Sequence, residues 1–203
     1  MTATRGKFIV FEGLDGSGKT TQAEKCKQYL ESTGRTVHFT HEPTEESEAG
    51  KRIRRVLTHQ EPFPTHEEFQ MLYVTDRKSH TADVILPMLE KGIDVIGDRY
   101  YLSTVAFGSI GGCDIEWLHE INAEFPRPDI TFIVDTNPDL CLERLGKRGT
   151  GLEFFERQAR FGKAQETYRL MPERHDNVHL LNGHEEIDEI FSRIVRHLET
   201  IFA

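Results

Sequence analysis

Hydrophobic residues follow two different spacings along this chain. Short runs of β-branched and aromatic residues predict buried strands, and longer stretches with an apolar residue every three or four positions predict helices. Strands are expected at residues 8–13, 37–40, 94–97, 129–135 and 178–181. Helices are expected at residues 19–33, 49–59, 67–80, 82–91, 114–125, 137–145, 153–171 and 185–201. Because strands alternate with helices, the pattern predicts a three-layer α/β/α fold around a five-stranded, mainly parallel sheet.

The first predicted strand runs directly into a glycine-rich turn. Its sequence, Gly-Leu-Asp-Gly-Ser-Gly-Lys-Thr, is that of a P-loop, in which backbone N–H groups and the next helix surround a polyphosphate. Lys19 provides a charge for the β- and γ-phosphates, and the Thr20 hydroxyl suits Mg²⁺. A glycine turn that binds nothing is the alternative. The predicted ATP-binding residues are Gly13, Leu14, Asp15, Gly16, Ser17, Gly18, Lys19, Thr20 and Thr21.

Length, charge and cysteine content exclude several classes of protein. The 203 residues are expected to form one domain, residues 1–203. The net charge of −9 disfavours nucleic-acid binding, which requires a basic face. Cys26, Cys113 and Cys141 have no metal-ligand spacing and are expected to be reduced thiols. With no signal peptide expected and no apolar run of about 18 residues, no membrane association is expected and the predicted location is cytoplasmic.

Charged residues collect where the predicted strands end. Glu42, Asp98, Arg99 and Asp135 follow strands, and ligands of parallel sheets bind beyond the carboxyl ends of the strands. Residues 146–151 contain three glycines and two cations, which predicts a short mobile lid over about residues 146–153. A second anion site and a lid are what a small-molecule kinase needs. The base-reading motif Asn-Lys-x-Asp of regulatory GTPases is absent.

These residues, taken together, resemble the thymidylate kinases over essentially the whole chain. The matching motifs are Phe-Glu-Gly-Leu-Asp-Gly-Ser-Gly-Lys-Thr-Thr at 11–21, Glu42-Pro43, Tyr73-x-x-Asp76-Arg77, Asp98-Arg99-Tyr100-x-x-Ser103-x-x-Ala106-Phe107, and Asp135-x-x-Pro138 with Arg144 and Arg148. The resemblance implies a nucleoside monophosphate kinase that transfers the γ-phosphoryl group of ATP to dTMP, giving dTDP and ADP. It also implies Mg²⁺ and a homodimer.

The resemblance further implies a role for each matching residue. The implied catalytic residues are Lys19, Asp98, Arg99, Arg144 and Arg148. The implied acceptor-binding residues are Asp15, Glu42, Pro43, Arg54, Tyr73, Arg77, Arg99, Ser103, Thr104 and Phe107. The implied metal-binding residues are Thr20 and Asp98. In this family the loop carboxylate binds the sugar 3′-OH, the helical aromatic stacks on thymine, and the arginine four positions later reads a base carbonyl.

Alternatives stay open at this point. Arg54 could lie on a solvated helix face, Tyr73 and Phe107 could be core aromatics, and Asp98 could serve only as a partner of Arg99. A kinase of similar fold could act on another nucleotide, or on a nucleoside with a carboxylate as base. A nucleotide-dependent switch protein is the alternative from another class.

The chain departs from the family pattern at several positions. Gly16 stands where some members have arginine. Members that lack this arginine tend to carry one in the lid instead, but Phe154, close to the expected lid position, is not basic, so Arg148 or Lys147 would have to substitute. His41 replaces the usual arginine before Glu-Pro. Gly108 stands where glutamine is frequent. These departures concern the acceptor and lid more than the P-loop.

Overall fold

The central sheet has five parallel strands. The computed structural model describes residues 5–146 and 152–203, with side chains from residue 158 onward in the second stretch. Its strands are β1 Phe8–Gly13, β2 Val37–His41, β3 Asp94–Asp98, β4 Ile130–Asp135 and β5 Val178–Asn182. They pair in the order β2-β3-β1-β4-β5, and every pair is parallel. The α/β prediction is confirmed, and the sheet formed by the described residues is wholly parallel.

Helices cover both faces of the sheet. In the described part of the chain they are α1 Lys19–Ser32, α2 Glu48–Leu57, α3 His66–His80, α4 Leu86–Glu90, α5 Tyr101–Ile110, α6 Ile115–Glu120, α7 Pro138–Arg144, α8 Leu152–Leu170 and α9 Ile187–Phe202. A capping box at Thr65 and Glu68 starts α3, as the sequence predicts. A π-helical turn at Thr81–Ile85 joins α3 to α4, so the two predicted pieces 67–80 and 82–91 are one helical rod.

One predicted helix is too long, and one helix of the structure was not predicted. α6 ends at Glu120, well before the predicted residue 125. α5 has no counterpart among the predicted helices. Most of its residues are buried, so it lacks the one-sided apolar spacing that identifies a surface helix. Its first turn is also capped by a residue far away in the sequence, because the backbone N–H groups of Tyr100 and Ser103 donate to Glu12 of β1 at 2.9 and 3.1 Å.

The side chains of β1 explain the three layers. Phe8 and Val10 belong to the core beneath α5 and α8, whereas Ile9 and Phe11 belong to the core beneath α1 and α9. Alternate strand residues therefore bury opposite faces of the sheet. Among the described residues, none of the helices is both long and apolar enough to span a lipid bilayer.

Candidate active site at the carboxyl ends of the strands

The P-loop lies between β1 and α1. Gly13 and Gly16 have φ of 139° and 83°, in the left-handed region that favours glycine. A Cβ at Gly16 would lie 2.5 Å from the carbonyl oxygen of Cys141, so the loop packs closely on α7. Lys19 begins α1 and is only 7 % exposed. Burial, and then the charge of Arg99, lower the pKa of the Lys19 ammonium below its ordinary value.

One carboxylate links two cations at the mouth of this loop. Asp15 Oδ1 lies 3.5 Å from Lys19 Nζ and accepts a hydrogen bond from Arg99 Nη2 at 2.6 Å. Burial acts to raise the pKa of Asp15, but Arg99 and Lys19 outweigh it and hold the pKa below its usual value. The P-loop lysine and the strand-end arginine therefore face one cleft, as the sequence predicts.

Arg99 is held in a strained backbone conformation. Its φ is 74°, uncommon for a residue other than glycine, and its N–H donates to the Phe11 carbonyl at 2.8 Å. The guanidinium donates to Ser103 Oγ at 2.8 Å and lies 5.2 Å from the centre of the Phe107 ring. Burial acts to lower the pKa of Arg99. Tyr168, Asp15 and Glu12 outweigh burial and raise this pKa above its ordinary value, so the side chain stays charged.

Glu12 is a site residue whose position the sequence does not reveal. It is fully buried, and its carboxylate accepts hydrogen bonds from the Tyr100 and Ser103 N–H groups, from Ser103 Oγ, and from the Tyr168 hydroxyl at 2.9 Å. Burial raises the pKa of Glu12, although Arg99 opposes the shift. These contacts occupy the carboxylate, so Glu12 positions the start of α5.

Thr20 and Asp98 form the candidate metal centre. The Thr20 hydroxyl donates to Asp98 Oδ2 at 2.5 Å, which brings the P-loop and the end of β3 together. Hydroxyl and carboxylate oxygens are the ligands that Mg²⁺ prefers, so this pair fits the predicted ion. Asp98 does not pair with Arg99 here, since Arg99 contacts Asp15 and Ser103 instead.

Arg77 lies in a buried polar pocket between α3, α5 and α6. Its guanidinium donates to Glu42 Oε2 at 2.8 Å, to Thr104 Oγ1 at 2.9 Å and to Asn122 Oδ1. The Arg77 and Glu42 side chains are 1 % and 3 % exposed. The predicted acceptor residues at 42, 77 and 104 are therefore brought together. Asn122 belongs to the same pocket and was not predicted.

His80 supports Glu42 from the same helix as Arg77. Its Nδ1 lies 3.0 Å from Glu42 Oε1, and its Nε2 lies 2.7 Å from Thr40 Oγ1. Both ring nitrogens of His80 are therefore engaged by neighbouring side chains. His80 is thus a second residue of this pocket that was not predicted.

Tyr73 lies on the same helix as Arg77 and packs against Phe69, with ring centres 5.4 Å apart. Burial raises the pKa of Tyr73 to about 12, and the charges of Arg99 and Asp15 also act on its hydroxyl. Tyr73 is thus within the electrostatic range of Arg99 and Asp15.

The other two predicted arginines within the described residues differ in position: Arg144 lies beside the P-loop, and Arg54 lies on an exposed face of α2. Arg144 donates to the carbonyl oxygens of Gly16 and Ser17 at 3.3 and 3.2 Å, so it lies beside the P-loop. Arg54 is exposed and donates to Glu45 at 3.3 Å. The predicted lid, including Lys147 and Arg148, falls mainly on residues 147–151, outside the described residues, and the Phe154 side chain also lies outside them.

Asp135 and His41, two other residues at strand ends, have partners outside the P-loop and the Arg77 pocket. Asp135 accepts from Arg169 at 2.9 Å and from Gln165 at 2.6 Å, both on α8. Its carboxylate is therefore engaged by α8. His41 is exposed and its Nδ1 lies 3.0 Å from the Pro43 carbonyl oxygen, so it contacts the Glu-Pro loop locally.

This fold and this cleft define a P-loop kinase of the nucleoside monophosphate class. The sequence profile of the family described as Thymidylate kinase matches residues 11–194. The chain belongs to the thymidylate kinase family, and the predicted family and enzyme class are confirmed.

Individual relatives agree with this assignment. The chain is 37% identical over 195 residues to a probable thymidylate kinase of Pyrococcus horikoshii, covering 94% of this chain and 95% of the relative. It is 40% identical over 172 residues to the thymidylate kinase of Pelotomaculum thermopropionicum, covering 81% and 76%. The solved thymidylate kinase of Ehrlichia chaffeensis has a TM-score of 0.74 and 25% identity, with 96% of this chain and 99% of that chain covered. The fold is also that of the Candida albicans enzyme, with a TM-score of 0.80, 24% identity, and coverage of 97% and 92%.

Proposed function

We propose that this protein transfers the γ-phosphoryl group of ATP to dTMP, giving dTDP and ADP. The observation that carries the proposal is Asp15, which contacts both Lys19 of the P-loop and Arg99 of the neighbouring strand end. Two cationic side chains from different elements that share one carboxylate oxygen suit two phosphate-bearing ligands that meet end to end. Family membership supports thymidylate as the acceptor.

On the donor side, the P-loop N–H groups and Lys19 bind the β- and γ-phosphates of ATP. Arg144, beside the Gly16 and Ser17 carbonyl groups, adds positive charge near the transferred group. An oxygen of the dTMP phosphate attacks the γ-phosphorus while the bond from that phosphorus to the β-phosphate oxygen breaks. No separate general base is needed, because the acceptor phosphate is already an anion at neutral pH.

Mg²⁺ is proposed as the cofactor, held by Thr20 and Asp98, which already contact each other at 2.5 Å. When bound, the ion would neutralise charge on the phosphates. The role of the chain is to fix the hydroxyl and the carboxylate side by side at the end of β3, so that the ion is oriented against the P-loop.

On the acceptor side, Arg99 binds the phosphate of dTMP with its planar guanidinium. Asp15 accepts a hydrogen bond from the 3′-OH, Tyr73 stacks on thymine, and Arg77 donates to a base carbonyl. Arg77 has five N–H donors and contacts three side chains, which holds it rigidly and leaves donor capacity for the base. Phe107, beneath Arg99, crowds the 2′ position and disfavours a ribonucleotide.

The test is an acceptor panel. Purified protein with ATP and Mg²⁺ is supplied with dTMP, dUMP, UMP, CMP, AMP or GMP, and ADP release is measured. Release mainly with dTMP is expected. Equal or faster turnover with another base would refute the acceptor assignment, and hydrolysis independent of any acceptor would favour a switch protein.

Arg99→Ala separates a monophosphate kinase from a nucleoside kinase. Because Arg99 binds the acceptor phosphate, the variant should raise KM for dTMP and lower kcat, together by about a thousandfold in kcat/KM. Arg196→Ala, an exposed arginine on α9, is the matched control and should change neither constant. Unaltered acceptor kinetics in Arg99→Ala would contradict the monophosphate assignment.

Assembly and location are proposed on family resemblance. The protein is expected to form a homodimer, to bind nucleotides without binding nucleic acid or membranes, and to act in the cytoplasm. Light scattering coupled to gel filtration measures the mass directly. A single species at the mass of one 23.4 kDa chain would contradict the dimer.

A further inference from the structure

Gln70 lies on the face of α3 that carries Arg77. Seven residues are nearly two helical turns, so the two side chains share one face about 10.5 Å apart along the axis. Arg77 contacts Thr104 of α5, and Gln70 Cδ lies 3.2 Å from the place of a Cβ on Gly108, one turn further along α5. The two residues therefore line the same seam between α3 and α5.

Gly108 makes room for Gln70 in this seam. A Cβ at position 108 would lie 2.7 Å from Leu118 Cδ2 and 3.2 Å from Gln70 Cδ. Any larger side chain there would displace Leu118 or Gln70. The glutamine from α3 therefore occupies space that the missing side chain of α5 leaves.

The carboxamide of Gln70 has no hydrogen-bond partner among the described residues. Gln70 is 4 % exposed, and among residues 5–146 and 158–203 no group hydrogen-bonds its side chain. By contrast, Asn122 in the same pocket accepts from Arg77 and donates to the Leu118 carbonyl at 2.7 Å. Neither amide atom of Gln70 is among the fully buried side-chain atoms that lack a partner, so the little surface that this residue exposes includes its carboxamide, and a polar group of a ligand can reach it.

We propose that Gln70 is a specificity-determining residue whose carboxamide hydrogen-bonds the base of the acceptor nucleotide. The inference rests on the proposed function. A carboxamide offers a donor and an acceptor side by side, which matches the adjacent carbonyl and N–H of a pyrimidine such as thymine. Arg77 contributes donors only, so Gln70 supplies the acceptor that the N–H of the base requires.

The test uses Gln70→Leu and Gln70→Glu, with Gln28→Leu, an exposed glutamine on α1, as the matched control. Steady-state kinetics with dTMP and thermal unfolding are measured for each protein. Gln70→Leu should raise KM for dTMP about tenfold or more, with kcat changed less than about threefold and KM for ATP unchanged. Its melting temperature should stay nearly equal, because leucine has a similar volume and the carboxamide makes no hydrogen bond to the described residues.

A purely structural role predicts the opposite pair of results. In that case Gln70→Leu would lower the melting temperature and leave KM for dTMP unchanged, which would overturn the inference. Gln70→Glu keeps the shape but loses the amide donor, so it should raise KM as well, and an unchanged KM in both variants would also overturn it. If the unsubstituted protein fails to phosphorylate dTMP, the proposed function itself has failed, which is a distinguishable result.

Discussion

Replacing Arg77 by methionine tests the claim that the acceptor pocket is also a structural element. Methionine keeps much of the apolar stem but removes the charge and all donors. Glu42 would then remain buried with only His80 beside it, and the oxygen atoms of Asn122 and Thr104 would lose their donor. The side chains of Arg77 and Glu42 are 1 % and 3 % exposed, so water cannot replace the lost partner.

The burial of this ion pair sets the expected loss in the free energy of unfolding. Removing one partner of a buried ion pair costs about 3–5 kcal/mol, a large share of the roughly 5–15 kcal/mol that stabilises an ordinary domain. For about 200 residues this corresponds to a fall in melting temperature of about 6–20 °C. Adding Glu42→Gln to Arg77→Met neutralises the stranded carboxylate. The double variant should therefore recover about 1–3 kcal/mol of the loss.

Urea unfolding of the four proteins in this cycle, followed by circular dichroism, measures the free energies. Arg174→Met is the matched control, because Arg174 pairs with Glu116 at 2.5 Å with side chains 48 % and 70 % exposed. Its loss should stay within about 1 kcal/mol. The reasoning would be refuted if Arg77→Met cost no more than Arg174→Met, or if the two substitutions in the cycle were simply additive.

Other predictions concern the P-loop and the backbone. Lys19 binds phosphate in its protonated form, and burial lowers its pKa below the ordinary value of 10.5. The value of kcat/KM for ATP should therefore fall as the pH rises, and this fall should begin at a lower pH than for an ordinary lysine. A profile that stays flat up to pH 10.5 would contradict this prediction. Asp98→Asn should raise the Mg²⁺ concentration for half-maximal activity about tenfold or more, and an unchanged Mg²⁺ titration would exclude the metal role. Gly50→Ala places a methyl group 2.2 Å from the Thr44 carbonyl oxygen and should destabilise the protein by about 1–3 kcal/mol. Gly162→Ala on α8 meets nothing within 4 Å and should stabilise the protein. Thermal unfolding measures both effects.

The strands and the P-loop were predictable because their signals are local. β1 is a run of apolar residues ending at a glycine that must adopt positive φ, and both features are written in neighbouring positions. α5 was missed for the opposite reason. Its residues are apolar on most sides because it is buried, and the group that caps it, Glu12, comes from a strand 88 positions earlier than Tyr100.

The supporting residues of the site were missed for a related reason. Tyr168 reaches Glu12 across 156 positions, Asn122 reaches Arg77 across 45, and His80 reaches Glu42 across 38. Each is a common residue type with no motif around it. Such contacts exist only after the sheet order has brought the strand ends together, so no local pattern identifies them.

The ATP side and the acceptor side of the cleft are held by different kinds of interaction, so substitutions in the two sides should have different effects. The donor half depends on backbone geometry, such as the positive φ of Gly16, and its lysine contributes charge without anchoring distant elements. The acceptor half depends on buried side chains from separate elements, with Glu42 after β2 bound to Arg77 of α3. Altering Lys19 should therefore change catalysis while leaving folding nearly intact. Altering the acceptor pair should change both at once, so selectivity for the base cannot be retuned at Arg77 without compensating for a stranded charge. Gln70 lies in the same seam and has no hydrogen-bond partner among the described residues, so a substitution there should change base selectivity with little loss of stability.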